Sequence, residues 1–313
     1  MNRRLFPIKH IDTPPAALAM PGQAATRVAV WGAGDVGAAV AHALHQDGWR
    51  VLLIESAQPS APRRGMCWVD AVFDGASAVA GLWAVRVFHP DEAEMALRRD
   101  DWLPLAVEPD VATWLRILEI GILVDARLRK HAASQPVLRP LAARTVGIGP
   151  GFVAGTHTDV VIESAWSETL GQVITQGASL ALAGEPRPIH GVGRERLVYA
   201  PVAGRFESSR RIGEAIQPGD VVGQLVTEDG RRTTLHAPLA GVLRGLSRPG
   251  IAVQRNTKLV EVDPRGDPAL CFGLGERPRR IAQGVLQAVH RLQREAARLP
   301  SGPLRETHSR QHA

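Results

Sequence analysis

The sequence predicts an α/β protein in which a doubly wound parallel sheet is followed by a small all-β domain and a C-terminal helix. Three observations predict it: a strand, glycine turn, helix, strand pattern near the start, an alternation of strand-like and helix-like segments, and a motif repeated in the second half. With 313 residues, 45% of them hydrophobic, the chain is long enough for about two domains. The expected segments are a disordered lead-in over 1–26, the α/β domain over 27–195, the all-β domain over 196–266, a helical segment over 267–299 and a disordered tail over 300–313.

Composition narrows the classes of function. The formal net charge is +6, but the basic residues are scattered in pairs and only one Tyr and six Phe are available for base stacking, so no nucleic-acid partner is expected. No stretch approaches the roughly 18 apolar residues of a membrane span. The two cysteines are too far apart for metal-ligand spacing, so no metal site is predicted. A start without the apolar block of a secretory signal favours a cytoplasmic protein, with a transit peptide as the alternative.

The stretch "VAVWGAGDVGAAVAHALHQDGWRVLLIES" carries the clearest motif. Gly32, Gly34 and Gly37 have G-x-G-x-x-G spacing, which gives a tight turn, room for a pyrophosphate and close packing of helix on strand. We therefore expect a Rossmann-like unit that binds a nucleotide or dinucleotide at the helix N-terminus, with Glu55 placed to accept hydrogen bonds from a ribose. Asp35 would repel a pyrophosphate unless its carboxylate points away.

An arginine pair follows the second strand. Arg63 and Arg64 could clamp a phosphate beside Cys67, whose thiol pKa the arginines and a helix N-terminus would lower. A solvated arginine pair and a small buried core cysteine are the open alternative.

A second glycine-rich loop is expected at "VGIGPGFVAG", where four glycines fall within nine residues. The backbone around Gly149, Gly151 and Phe152 could approach a ligand closely, because glycine removes the Cβ from the path. A tight turn without a ligand is the alternative. Glu163 ends the next strand, and Asp125 lies at the carboxyl end of an earlier one, where parallel sheets place ligand contacts.

The second half contains a repeat. "APVAGRFE" begins at Ala200 and "APLAGVLR" at Ala237, and each leads into a short strand with its own Pro/Gly turn. This arrangement resembles a barrel-sandwich domain of the lipoyl/biotinyl type. The hairpin tip "EDGRRTTLH" has no lysine to carry an acyl or biotinyl group, so a scaffold or docking surface is predicted instead.

Together, "GAGD", the arginine pair before "AVFDG", "GIGPGFVAG" with "VIE", and "VDPRGDPALCF" resemble the YqeB family of accessory proteins, found with selenium-dependent molybdenum hydroxylases. The similarity extends from about Val28 to about Val289. It implies a maturation role for a xanthine-dehydrogenase-like molybdenum enzyme, with that hydroxylase or its other maturation factors as partners. The residues matched by position are Gly32, Gly34, Asp35, Arg63, Arg64, Gly149, Gly151, Phe152, Glu163, Asp263, Arg265, Asp267 and Cys271.

The sequence departs from the family pattern after Glu163. The family has a basic Asn-Arg-Gly-His stretch there, whereas this chain has "SAWSETLGQV" with Glu168. Loss of the Arg and His removes a phosphate ligand and an acid/base group, so selenium dependence is not carried over.

The predicted function is therefore accessory: binding of NAD(P) or a molybdopterin nucleotide, in the maturation of a molybdenum hydroxylase. One alternative is an NAD(P)-dependent oxidoreductase, although no Tyr-x-x-x-Lys pair is present. The other is a non-catalytic scaffold that docks a partner through the all-β domain. Cys67 and Cys271 are the candidates for any chemistry, and a homo-oligomer remains open.

Overall fold

The computed structural model describes residues 27–129, 134–181 and 186–298. The predicted lead-in over 1–26 and tail over 300–313 lie outside these residues. Within the described part, no helix is both long and apolar enough to cross a membrane.

The first half is built on one nine-stranded sheet. Its strands, and the short pair β8 and β11 that stands apart from it, are β1 Arg27–Trp31, β2 Arg50–Glu55, β3 Ala76–Val79, β4 Leu82–Val87, β5 Leu103–Val107, β6 Ile122–Asp125, β7 Arg144–Ile148, β8 Val153–Ala154, β9 Val160–Ile162, β10 Val173–Ile174 and β11 Gly177–Ala178. The order across the sheet is β10-β9-β7-β6-β1-β2-β5-β4-β3. The seven inner strands are parallel, and β3 and β10 pair antiparallel at the two edges.

Helices cover both faces of this sheet. They are α1 Asp35–Gln46, α2 Ala71–Asp74, α3 Pro90–Arg99, α4 Val111–Ile117 and α5 Glu276–Arg298. Successive strand residues point to opposite faces, so Val28 and Val30 join the core beneath α1 and α5, whereas Ala29 joins the core beneath α3 and α4. The apolar stripe of α5 lies in the first of these cores and packs along α1.

The second half contains two four-stranded antiparallel sheets around a third core. Its strands are β12 Leu197–Tyr199, β13 Gly204–Glu207, β14 Ala215–Ile216, β15 Val221–Val226, β16 Arg232–His236, β17 Gly241–Leu246, β18 Ala252–Val253 and β19 Lys258–Asp263. One sheet has the order β12-β19-β17-β14 and the other β16-β15-β13-β18. Equivalent strands of the two sequence copies occupy equivalent places, and each copy lends one short strand to the sheet of the other. The sequence repeat is thus a structural repeat.

The predicted fold class, a Rossmann-like doubly wound parallel sheet followed by a barrel sandwich, is wrong. The large sheet is mixed, because antiparallel strands close both edges and a β3–β4 hairpin is inserted beyond β5. Among the described residues, no crossover helix joins β6 to β7 or β7 to β9; the C-terminal helix α5 covers that face instead. Alternating apolar runs indicated strands and helices, but they did not specify which strands would pair or which helix would return to the sheet.

The segment after β2 joins the two halves. The amide of Leu246 in β17 donates a hydrogen bond to the carbonyl oxygen of Pro62 at 2.7 Å. Gly65 packs so closely on the Cys271 carbonyl that an added Cβ would lie 2.6 Å from it. The antiparallel sheet of β17 and β19 is thereby held beside the carboxyl ends of β1 and β2.

Candidate anion-binding cleft

A cleft of about 1740 Å³ lies where the two halves meet. Its walls come from the turn after β1, the segment after β2, the end of β6, strands β17 and β19, and the first turn of α5. Among the described lining residues are nine cationic side chains and five carboxylates; the cations are Arg63, Arg127, Arg187, Arg196, Arg244, Lys258, Arg265, Arg277 and Arg279, and the carboxylates are Asp35, Glu55, Glu108, Glu261 and Glu276. Asp125 and Asp263, which are outside the lining but form ion pairs with three of these cations, offset part of the excess, and the remaining positive charge makes the cleft suited to an anion.

The three glycines of the first loop have different roles. Gly32 has a positive φ of 112°, and its amide donates to the Ile54 carbonyl at 2.8 Å. A Cβ on Gly37 would lie 1.7 Å from the Gly32 carbonyl oxygen, so Gly37 is required for α1 to pack on the loop. Gly34 is the N-cap residue of α1, with φ of −65°, and an added Cβ there would have no neighbour within 4 Å. Of the three, Gly32 and Gly34 line the cleft.

Glu55 fixes the glycine loop to the end of β2. One of its carboxylate oxygens accepts a hydrogen bond from the amide of Ala33 at 2.7 Å, and the other accepts from the amide of Ser56 at 2.7 Å. Glu55, which was predicted to bind a ribose, therefore already accepts a hydrogen bond from the glycine loop. Glu55 nevertheless lines the cleft.

Asp35 is turned towards Arg63. The Arg63 Nη1 atom donates to the Asp35 Oδ2 atom at 3.0 Å, and Nε and Nη2 donate to the Glu261 carboxylate at 3.0 and 2.7 Å. Burial would raise the pKa of Asp35, but the charges of Arg63, Lys258 and Arg277 outweigh it and lower the pKa. Asp35 is thus held in its ionised form, and the positive charge of Arg63 offsets its negative charge.

Glu261 is the centre of the charged cluster. It is fully buried in β19, and besides Arg63 it accepts hydrogen bonds from Arg196 Nη1 at 2.8 Å and from Lys258 Nζ at 3.2 Å. Burial would raise the pKa of Glu261, yet the surrounding cations hold it well below its ordinary value of 4.5. One carboxylate is shared by three cations, which leaves a net positive charge.

Asp263 and Arg265, matched through the "VDPRGDP" motif, lie next to this cluster, and Asp263 is in the same strand as Glu261. Arg265 donates two hydrogen bonds to the buried Asp263 carboxylate, at 2.9 and 2.6 Å, and Arg244 Nη1 donates to the same carboxylate at 3.3 Å. Asp267 lies farther along and accepts a hydrogen bond from the Ala269 amide at 2.9 Å, which caps the short helical turn Pro268–Cys271. Of these, Arg244 and Arg265 line the cleft.

Arg64 and Asp125 were predicted as ligand contacts and lie in internal ion pairs. Arg64 donates to both carboxylate oxygens of Asp70, at 2.8 and 3.0 Å, and is not among the lining residues. Asp125 is buried and bonded to Arg127. The Arg127 guanidinium stacks 3.5 Å from the centre of the Trp31 ring, and these two side chains line the cleft in its place.

The second glycine loop is packed by its own side chains. Phe152 is buried, and a Cβ on Gly147 would lie 2.5 Å from its ring. Gly149 and Gly151 have positive φ angles of 90° and 87°. Glu163 is also buried and accepts hydrogen bonds, each at 2.7 Å, from the amides of Ser164, Ala165 and Leu180. Pro150 of this loop and Ser164 and Ala165, which follow β9, line the cleft, whereas Gly149, Gly151, Phe152 and Glu163 are not among the lining residues.

The two cysteines are buried as free thiols. Burial raises the pKa of Cys67, and burial followed by the negative charge of Asp263 raises the pKa of Cys271. Both thiols are therefore protonated near neutral pH, which is unfavourable for nucleophilic attack. No group of three or more potential metal-ligating side chains is found in the residues the structure describes.

Sequence reasoning missed most of the cations that line the cleft. Arg196, Arg244, Lys258 and Arg277 come from four separate elements, and they meet only through the pairing of β17 with β19 and the return of α5. A signal did exist in "KLVEVD", where a glutamate occupies a buried position of an apolar strand. A buried carboxylate requires cationic partners, so Glu261 could have indicated the cluster.

The fold and this cleft define a two-part α/β protein with a cation-rich cleft between its two parts. The chain is 33% identical over 271 residues, 87% of its length, to "Uncharacterized protein YqeB" from Escherichia coli strain K12. This finding confirms the predicted resemblance to YqeB over most of the chain. The chain spans 48% of that relative's length. No family model matches the chain.

Three solved structures also match at low similarity. An aspartoacylase family protein from Mesorhizobium loti is 10% identical, with a TM-score of 0.22 over 69% of this chain and 57% of the other. The product-bound ectoine utilization protein EutE from Ruegeria pomeroyi is 12% identical, with a TM-score of 0.22 over 71% and 61%. A succinylglutamate desuccinylase/aspartoacylase from Rhodobacter sphaeroides is 12% identical, with a TM-score of 0.21 over the same two shares.

These findings correct the predicted function. Maturation of a molybdenum hydroxylase, NAD(P)-dependent oxidoreduction and partner docking through a barrel sandwich are supported by none of these matches. The predicted Rossmann assignment is corrected by the mixed nine-stranded sheet, whose two edge strands are antiparallel. Because the TM-scores are this low, the activities named for these structures are not inferred for this chain.

Proposed function

We propose that the chain binds a phosphate-bearing small molecule, with nucleotides as the class to test, in the cleft between the glycine loop and the cations of β17, β19 and α5. The observation that carries this proposal is the charge of the lining, nine cations against five carboxylates. In a site partly removed from water, such an excess attracts anions more strongly than it would on an open surface.

The glycine loop supports the proposal. Gly34 opens onto the cleft at the N-terminus of α1, where backbone amides and the helix dipole favour negative charge. The Asp35 carboxylate would oppose a phosphate, but Arg63 compensates its charge at 3.0 Å. The volume of the cleft exceeds the roughly 300–1,000 Å³ of ordinary small-molecule pockets, so a nucleotide can be accommodated.

Isothermal titration calorimetry of the full chain with ATP, CTP, NAD and pyrophosphate tests this proposal. Gly34→Asp should weaken binding at least tenfold, because it adds a carboxylate in open space without strain. Gly34→Asn is the matched control: it has the same size and N-cap ability but no charge, and it should weaken binding less. Equal affinities for both variants and the wild type would contradict the proposal.

A further inference from the structure

We propose that the ligand of this cleft carries a dianionic phosphate monoester, and that Arg277, Arg244 and Lys258 form the subsite that binds it. This inference deepens the proposed function and rests on it for the rest of the ligand. Its basis is that these three cations, from three different elements, are incompletely neutralised by the protein.

Arg277 is the clearest case. It is the second residue of α5, it is partly buried, and its Nε atom donates to the Ser164 carbonyl oxygen at 2.8 Å. In the described ranges, no carboxylate lies within ion-pair distance of it. Arg277 lies in the first turn of the 23-residue helix α5, where the positive end of the helix dipole makes a cationic side chain unfavourable. Burial is the main reason why the pKa of Arg277 is lowered; the charges of Asp35 and Glu163 raise it in part and that of Arg63 lowers it further, and a bound anion would favour the charged form.

Arg244 is similarly under-neutralised. Only 12% of its side chain is exposed, and its contact with Asp263, at 3.3 Å, is longer than the contacts of Arg265 with the same carboxylate. Its buried Nε has no hydrogen-bond partner among the described residues, and the same holds for the Nε of Arg196, whose side chain is 4% exposed. Burial and the charge of Arg63 lower the pKa of Arg244.

Lys258 supplies the third cation and is the only lysine in the described ranges. Its ammonium donates to Glu261 at 3.2 Å, but Glu261 already accepts shorter hydrogen bonds from Arg63 and Arg196. An ammonium has three donors, so further donors remain for a ligand. About a third of the side chain is exposed, which leaves it accessible from the cleft.

The three cations line one cleft and are linked electrostatically through Asp35 and Arg63. Arg277 and Lys258 both stabilise ionised Asp35, and Arg244 is repelled by Arg63, which is bonded to Asp35. All three side chains line the cleft. A phosphate monoester, with a charge near −2 at neutral pH and three acceptor oxygens, matches this set better than a phosphate diester with a single charge.

The test compares two ligands that share base and sugar. Calorimetry on the full chain should show that AMP, a monoester, binds at least tenfold more tightly than 3′,5′-cyclic AMP, a diester, with CMP and cyclic CMP as a second pair. Inorganic phosphate, used as the minimal probe, should compete with the monoesters. Equal affinities within each pair would overturn the subsite.

Variants then assign the preference to residues. Arg277→Gln should abolish the monoester preference, Arg277→Lys should restore part of it, and Lys258→Gln should reduce it from a second element. Arg280→Gln is the matched control, since it removes the same charge from the same helix outside the cleft. A preference unchanged in Arg277→Gln and Lys258→Gln would refute the assignment.

The outcomes separate the two proposals. Nucleotide binding without a monoester preference would remove the subsite and leave the proposed function standing. Phosphate binding that is lost in Arg277→Gln, in a chain that binds no nucleotide, would keep the subsite and overturn nucleotides as the ligand class of the proposed function.

Discussion

Replacement of Gly37 by alanine tests how the glycine loop is built. The new Cβ would lie 1.7 Å from the Gly32 carbonyl oxygen and 2.8 Å from its carbon, so α1 must move away from the loop by more than 1 Å. Overpacking of this kind costs about 1–3 kcal/mol, and a backbone contact cannot yield as a flexible side chain can. Alanine would return up to about 1 kcal/mol through its helix propensity. Because the clash is severe, we expect the free energy of unfolding to fall by about 2 kcal/mol.

Urea unfolding followed by tryptophan fluorescence and circular dichroism measures this change. Gly34→Ser is the control at the neighbouring glycine, where a Cβ meets no atom within 4 Å and a serine can cap α1. Its stability should equal or slightly exceed that of the wild type. Gly37→Ala with unchanged stability would refute the packing argument.

Three further predictions concern the buried charges and thiols. Glu261→Gln should lower the free energy of unfolding by about 3–5 kcal/mol, because it leaves three cations without their shared carboxylate; stability within 1 kcal/mol of the wild type in urea would contradict this. The pKa values of Glu261 and Asp35 are lower in the folded than in the unfolded chain, so their stabilising contribution is present above the ordinary carboxylate range and is lost as pH falls below about 4.5. Thermal midpoints from pH 7 to 3 check this, and a midpoint that rises on acidification would count against it. Cys67 and Cys271 should react with Ellman's reagent only after denaturation, and stoichiometric labelling of the native chain would show that either thiol is accessible.

Local sequence signals predicted several elements well. The strand, glycine turn, helix, strand pattern corresponds to β1, α1 and β2, and the repeated "AP-x-AG" motif corresponds to equivalent strands in the two antiparallel sheets. These features depend on neighbours within a few residues, such as the contact of Gly37 with Gly32. Short-range geometry of this kind can be derived from spacing alone.

Long-range pairing could not be derived in the same way. The apolar pattern of α5 predicted a packed helix but gave no reason for it to replace a crossover helix beside α1. The candidate site was affected similarly: Arg63 was identified, but its partners Asp35 and Glu261 lie 28 and 198 positions away in the chain. Ion pairs between residues so far apart in the chain can be identified only when the pairing of the strands is known.

The most direct test of the central claim is the thermal midpoint of the full chain with ATP, CTP, NAD and pyrophosphate at low and high salt. We predict a rise with at least one of these ligands that diminishes with salt and is lost in Gly34→Asp but not in Gly34→Asn. No shift with any ligand at millimolar concentration, or an equal shift in Gly34→Asp, would contradict binding of a phosphate-bearing molecule in this cleft.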